Sequence, residues 1–138
     1  MSISVIIPCY RAAATLRRAV DSALTGAPAD LEVLLVDDGS PDDTGALCDE
    51  LAAADPRVRA LHRANGGAGA ARSTGLDAAT GDWVLFLDAD DELLPGLWDE
   101  LAALDDTAPE SGDEEANPID RFFENVDAGS STAEMNAV

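Results

Sequence analysis

The chain has no lysine, and its eight basic residues, all arginines, face 28 aspartates and glutamates. Its net charge of −20 argues against binding nucleic acid or anionic lipid, because both need clustered basic residues. The only two cysteines, Cys9 and Cys48, form no Cys-x-x-Cys pair. This pattern argues against a disulfide scaffold or zinc ribbon and favours a reducing compartment. No apolar run approaches the roughly 20 residues of a membrane span, and no secretory signal pattern is visible. We therefore expect a location in the cytoplasm or at the inner face of the membrane.

Charge divides the chain of 138 residues into two parts. Residues 105–138 contain ten acidic residues against a single arginine, with one apolar group around Ile119, Phe122 and Phe123. That composition predicts an acidic tail that is disordered or weakly helical. Residues 1–104 carry the apolar periodicity of one ordinary domain.

The first 104 residues alternate between strand and helix patterns. Short apolar runs predict strands over residues 3–8, 32–36, 58–62 and 82–87. Helical spacing predicts helices over residues 12–25, 45–54, 67–79 and 95–104, with Thr44 capping the second and Pro95 in the first turn of the last. This alternation predicts an α/β fold with a mostly parallel sheet and helices on both faces. In such sheets ligands bind beyond the carboxyl ends of the strands.

One acidic cluster follows the last of these strands. Asp88-Ala89-Asp90-Asp91 places three carboxylates in a single turn, where they repel one another unless a cation lies between them. Hard oxygen ligands suit Mg²⁺ or Mn²⁺ shared with substrate phosphates. The alternative is a solvated acidic turn that caps the next helix, and spacing alone slightly favours it.

Two further segments could contact a nucleotide. Asp37-Asp38-Gly39-Ser40 could accept from a ring N–H, although Asp-Gly is also an ordinary turn pair, which is the better interpretation taken alone. Residues 65–69 lead into a helix that carries Arg72, and free N–H groups there suit phosphate. The alternative is a flexible loop with a surface arginine. Arg72 stands where a dinucleotide fingerprint needs its last glycine, so we reject a NAD-type site.

The remaining candidate side chains are one tyrosine, one histidine and two cysteines. Tyr10 could stack on a base or pack at the end of its strand. His62, the only histidine, is a structural residue at a strand end rather than a catalytic base. Cys9 and Cys48 are expected to be small apolar fillers.

Taken in order, four segments resemble the family 2 glycosyltransferases. The segments are Ser4-Val5-Ile6-Ile7-Pro8-Cys9-Tyr10, Val36-Asp37-Asp38-Gly39-Ser40, Asn65-Gly66-Gly67 with Arg72, and Gly81-Asp82-Trp83 through Asp88-Ala89-Asp90-Asp91. The resemblance spans roughly residues 2–104. Four motifs in the family's order and spacing are far more specific than one Asp-x-Asp.

This resemblance implies a Rossmann-like GT-A fold that binds a nucleoside diphosphate sugar together with Mn²⁺ or Mg²⁺. Family habit favours a UDP-sugar, and the acceptor stays unknown. The implied nucleotide-binding residues are Pro8, Tyr10, Asp37, Asp38, Arg72 and Asp88, with Asp38 on the base and Arg72 near the diphosphate or ribose. The implied metal ligands are Asp90, Asp88 and Asp91, with Asp90 foremost.

The sequence also departs from the family pattern. Arg11 replaces an asparagine that often follows the tyrosine, and Ser73 replaces one that often follows the arginine. The resemblance fades near Leu104, whereas family members continue into an acceptor half that carries a catalytic base. We therefore expect a fold truncated after the Asp-x-Asp, with self-association or docking of Phe122-Phe123 on the exposed face.

Three hypotheses about function stay open. The chain is a metal-assisted glycosyltransferase, working alone or with a partner chain that supplies the acceptor half. Alternatively it is a catalytically incomplete module that binds nucleotide-sugar, or an interaction protein that acts through its acidic tail. Sugar transfer separates the first two hypotheses, and nucleotide binding separates the second from the third. No catalytic base is assigned, because nothing places Glu114, Glu115 or Glu124 opposite a sugar.

Overall fold

The computed structural model describes residues 2–107 and 134–137. The elements in chain order are β1 (Ile3–Cys9), α1 (Leu16–Leu24), β2 (Glu32–Asp37), α2 (Thr44–Ala54), β3 (Val58–His62), α3 (Ala68–Ala78), β4 (Trp83–Phe86), α4 (Leu97–Thr107) and β5 (Glu134–Ala137). They build one sheet in the order β3-β2-β1-β4-β5. The first four strands run parallel and β5 runs antiparallel to β4. The predicted fold class is confirmed.

Helices cover both faces of the sheet, which explains the continuous apolar runs of its strands. The side chains of β1 alternate between two clusters of buried residues, one on each face of the sheet. Val5 and Ile7 pack with α1, α2 and α4, whereas Ile6 packs with α3 on the opposite face. All three side chains are fully buried. β1 is thus the centre of the core, and its carboxyl end is held in place from both sides.

Helix α3 lies very close to β1. A Cβ atom built on Gly75 would lie only 2.5 Å from Cγ2 of Ile6, so a glycine is needed for this approach. Gly69, in the same helix, has no atom within 4 Å of such a Cβ. The pair therefore offers a matched test of the α3–β1 contact.

We expect Gly75→Ala to lower the free energy of unfolding by about 1–2 kcal/mol, because overpacking outweighs the gain in helix propensity. Gly69→Ala should instead raise it by up to about 1 kcal/mol. Urea denaturation of both variants measures the difference. A gain of stability in both variants would contradict the close contact between α3 and β1.

Three helix starts differ from the prediction. Thr44 does not cap α2 with its side chain. Its hydroxyl instead accepts a hydrogen bond from the N–H of Ala12, at 2.9 Å. Residues 13–15 accordingly form a turn, and α1 begins at Leu16 rather than at residue 12. At the last helix, Gly96 adopts a φ of 83°, so α4 begins at Leu97, after Pro95.

The segment after residue 104 also departs from expectation. Helix α4 continues to Thr107, and Glu134–Ala137 form a strand where disorder or weak helix was expected. This strand pairs with β4 and forms the edge of the sheet there. The expected docking of Phe122-Phe123 lies outside the described residues, and the division into domain and tail stays a prediction. None of the helices in the described part is long and apolar enough to cross a membrane.

Candidate functional site

A pocket of about 320 Å³ lies beyond the carboxyl ends of β1, β2 and β4. Its lining includes six of the predicted site residues, namely Pro8, Tyr10, Asp38, Arg72, Asp88 and Asp90. Parallel strands bring these segments together, as the sequence analysis expected. Asp37 and Asp91 are the two predicted site residues outside this lining. A larger groove of about 960 Å³ beside α1 contains none of the predicted residues.

Three carboxylates meet at the β4 side of the pocket. One oxygen from each of Asp88, Asp90 and Asp91 lies within 4.8 Å of the others. The N–H of Asp91 donates to the carbonyl of Asp88 at 3.0 Å and closes the turn. Such a set of hard oxygen ligands fits Mg²⁺ or Mn²⁺, which keep further positions for water and phosphate. The turn does not cap the next helix, because α4 begins only at Leu97.

Arg72 reaches this acidic turn from α3. Its Nη2 lies 3.4 Å from Oδ1 of Asp88, and its guanidinium carbon lies 6.0 Å from the centre of the Phe86 ring. The Nε atom is buried and has no hydrogen-bond partner among the described residues. A buried donor without a partner calls for an acceptor, which an anionic ligand of the pocket would supply.

Asp38 is the most heavily bonded of the predicted residues. Its carboxylate accepts from the backbone N–H groups of Gly66 at 3.0 Å and Gly67 at 2.8 Å. Arg63 Nε lies 3.1 Å away, and the Asn65 amide makes a long contact at 3.4 Å. With its side chain only 4% exposed, Asp38 holds the glycine loop (residues 65–67) against the end of β2. A nucleobase N–H that bonds to Asp38 would replace one of these donors, and the Asn65 contact is the weakest of them.

Asp37 lies outside the pocket lining, in a hydrogen-bond network with Ser40 and His62. Its carboxylate accepts from the N–H of Ser40 and contacts His62 Nδ1, both at 3.0 Å. His62 Nε2 lies 2.8 Å from Asp49. Burial opposes ionisation of Asp37, but the hydrogen bonds from His62 and Ser40 outweigh it and lower the pKa of the carboxyl group. Asp37 thus fixes the turn at Ser40 rather than facing the pocket.

The same network raises the pKa of His62, first through Asp49 and then through Asp37. A folded pKa above the unfolded value of about 6.5 stabilises the protein at lower pH. This stability is fully present below the unfolded pKa and is lost as pH rises through the folded one. We expect the unfolding free energy to fall as pH rises from about 6.5 through the raised pKa of His62, and His62→Gln to flatten that fall. Denaturation at several pH values measures both; an unchanged slope in the variant would contradict the network.

Sequence reasoning missed several partners of these residues. The sequence predicts that N–H groups of the glycine loop bind phosphate, yet two of them donate to Asp38. Cys9 and Cys48 are both fully buried, as expected of fillers. Their contact, which was not expected, raises the pKa of the Cys9 thiol together with burial. Arg11 also lines the pocket, and its only signal in the sequence was the departure from asparagine.

Known proteins are similar to this chain in sequence and in fold. EpsJ of Bacillus subtilis, an uncharacterized glycosyltransferase, is 37% identical over 99 residues, which cover 72% of this chain and 29% of that protein. YibD of Escherichia coli, also an uncharacterized glycosyltransferase, is 42% identical over 102 residues, or 74% of this chain and 30% of that protein. The chain thus spans about 30% of the length of these relatives.

Solved structures agree with these sequence relatives. TarS 1-349 of S. aureus in complex with UDP-GlcNAc superposes with a TM-score of 0.69 at 30% identity, over 77% of this chain and 32% of that one. The mannosyltransferase PcManGT of Pyrobaculum calidifontis, in complex with GDP-Man and Mn²⁺, gives 0.63 at 29% identity, over 79% and 33%. The sequence model of glycosyl transferase family 2 matches residues 4–112. The resemblance noted in the sequence is confirmed: the chain belongs to glycosyl transferase family 2.

Proposed function

We propose that the chain binds a nucleoside diphosphate sugar, preferably a UDP-sugar, with Mn²⁺ or Mg²⁺, and transfers the sugar to an acceptor. The observation that carries this proposal is the meeting, around one pocket, of a half-exposed tyrosine, a buried aspartate, an arginine and a group of three carboxylates. The pocket thus offers groups that can bind a base, a diphosphate and a metal ion. The complexes of TarS with UDP and UDP-GlcNAc support the choice of donor.

In this proposal the nucleoside binds at the ends of β1 and β2, and the diphosphate binds near the acidic turn after β4. Pro8 and Tyr10 at the end of β1, together with Asp38 at the end of β2, bind the nucleoside. Arg72 places its guanidinium beside the diphosphate, where the unpartnered Nε and its neighbouring N–H groups meet phosphate oxygens. Its contact with Asp88 keeps it next to the acidic turn.

Asp90, Asp88 and Asp91 would hold the divalent cation. When bound, such an ion stabilises the negative charge that develops on the diphosphate as the bond to the sugar breaks. The PcManGT complex with Mn²⁺ supports this assignment. Because the carboxylates crowd one another, they provide a strong local negative potential, which draws a cation to this end of the pocket.

Calorimetric titration of the purified chain with UDP and a UDP-sugar, each with and without Mn²⁺, tests donor binding. Binding of both ligands that strengthens with Mn²⁺ is the expected result. A folded chain that binds neither of them, nor a GDP-sugar tried in their place, would contradict the proposal.

Transfer is tested separately, by following release of UDP from a UDP-sugar in the presence of candidate acceptors. Donor binding without release would favour the alternative of a binding module, since an inverting transfer needs a base within reach of the acceptor hydroxyl. If UDP is released only after a second chain is added, the acceptor half comes from that partner. Sedimentation of the chain alone tests the expected self-association.

A further inference from the structure

The backbone of Arg11 is strained. Its φ of 51° is the one positive value among non-glycine residues in the part of the chain that the structure describes. L-residues rarely adopt this left-handed conformation, which asparagine and glycine tolerate far better than arginine. Strain of this kind persists only where the surroundings enforce it, and it concentrates at functional sites. Arg11 therefore stays in an unfavourable backbone conformation at the edge of the candidate pocket.

Hydrogen bonds between two strand ends hold this conformation. The N–H of Arg11 donates to the hydroxyl of Ser40 at 3.2 Å, and that hydroxyl lies 3.4 Å from the carbonyl of Cys9. The Ser40 N–H in turn donates to Asp37. The loop after β1 is thus fixed to the loop after β2, and the direction in which the Arg11 side chain leaves the backbone is fixed with it.

The side chain lies on the neighbouring aromatic ring. The guanidinium carbon of Arg11 is 5.5 Å from the centre of the Tyr10 ring, within the range of a cation–π contact. Tyr10 is 46% exposed, so part of its ring is open to a ligand. Arg72, the other cation of the pocket, pairs with Asp88. Arg11 forms no ion pair with a carboxylate of the described residues, although Asp42 attracts it over a longer distance.

Arg11 lies at the end of the pocket that is next to β2. β1 lies between β2 and β4. Ser40 and Asp42, which interact with Arg11, follow β2, whereas the acidic turn follows β4. Arg11 and Tyr10 therefore extend the β2 side of the pocket, away from the carboxylates that suit a metal ion. A nucleoside diphosphate whose phosphates lie near those carboxylates would place its base on the Arg11 side.

We propose that Arg11 is a positioning residue for the nucleoside, because its guanidinium holds the Tyr10 ring in the orientation on which the base stacks. The inference rests on the proposed function and adds a residue that departs from the family's usual asparagine. The strained backbone is what directs the guanidinium onto the ring. Removal of the cation should therefore weaken binding of the nucleoside part while leaving binding of the diphosphate part intact.

The test compares UDP with inorganic pyrophosphate, which lacks the nucleoside, both titrated calorimetrically in Mn²⁺. Arg11→Gln removes the cation and keeps the strain, whereas Arg11→Asn removes the cation and relieves the strain. Both variants should bind UDP about 3- to 10-fold more weakly than the wild type, with pyrophosphate affinity unchanged. Arg17→Gln is the matched control, since it removes an exposed arginine outside this pocket, and it should leave both affinities unchanged.

Two further readouts separate positioning from other roles. In a Tyr10→Leu background, Arg11→Gln should have no additional effect on UDP affinity, because the guanidinium acts through the ring. Arg11→Asn should melt at a higher temperature than Arg11→Gln, since asparagine tolerates a positive φ. Relative to the wild type, Arg11→Asn should thus gain stability while it loses nucleoside affinity.

The outcomes that overturn the proposal are specific. Equal losses of UDP and pyrophosphate affinity would assign Arg11 to the diphosphate. A loss that persists in the Tyr10→Leu background would indicate direct contact with the nucleotide. Unchanged UDP affinity in both variants would mean that Arg11 has no role in binding. Absence of UDP binding by the folded wild type would instead remove the proposed function, and this inference with it.

Discussion

Asp90→Ala should abolish the Mn²⁺-dependent part of UDP binding, with a loss of affinity of about 100-fold or more. Replacing even an outer partner of a metal ligand commonly lowers metal affinity 10- to 100-fold, and Asp90 belongs to the proposed ligand set itself. The fold should not suffer, because Asp90 is exposed and lies close to two other carboxylates. Without metal the variant should be as stable as the wild type or slightly more stable, since like charges no longer repel. Calorimetry with and without Mn²⁺, together with thermal melts, measures both effects.

Glu92→Ala provides the matched control for this experiment. Glu92 stands two residues away, carries the same charge, and pairs with Arg18 at 3.6 Å rather than joining the carboxylate group. Its replacement should leave UDP affinity and its Mn²⁺ dependence unchanged. If the two variants behaved alike, the three carboxylates would contribute only general negative charge, and the proposed metal site would be incorrect.

Asp38→Ala should have the largest effect on stability, lowering the free energy of unfolding by about 2–4 kcal/mol. The substitution removes the acceptor for two backbone N–H groups and leaves Arg63 without its buried partner. The glycine loop should then detach from β2, so UDP binding is lost along with the loop. Urea denaturation gives the stability, and faster hydrogen exchange at the Gly66 and Gly67 amides reports the loop directly.

Two comparisons make this prediction specific. Asp38→Asn keeps one acceptor oxygen and should lose less stability than the alanine variant. Asp77→Ala, which removes an exposed acid from α3, should change stability by no more than about 0.5 kcal/mol. Equal stability of Asp38→Ala and Asp77→Ala would contradict the assigned contacts between Asp38 and the glycine loop.

Much of the fold could be predicted because its strands are buried on both faces. Runs such as residues 3–8 and 32–36 are apolar almost throughout, and a helix-covered parallel sheet is the arrangement that buries such runs. The start of α1 could not be predicted, because it depends on the hydroxyl of Thr44, which bonds to Ala12 from 32 residues away. β5 was missed for a related reason. It is four residues long, and its pairing with β4 comes from contacts that no local pattern encodes.

The candidate site was predictable in its location and less so in its contacts. Topology alone brings the ends of β1, β2 and β4 together, so Tyr10, Asp38 and Asp88 meet as expected. Which donors bind Asp38 depends on how residues 65–67 close over it, 27 to 29 positions later in the chain. The strain at Arg11 likewise arises from Ser40, on another strand end.

The place of β1 at the centre of the sheet has a consequence for how such a pocket could change during evolution. The chain leaves β1 through α1 to reach β2 on one side, and it later returns through α3 to place β4 on the other. The two halves of the pocket are therefore encoded by separate stretches of sequence, residues 8–38 and residues 68–90. If the proposed function holds, substitutions in the first stretch would alter which base is accepted without disturbing the acidic turn. The proposed cation site would in this way serve donors that differ in their nucleoside.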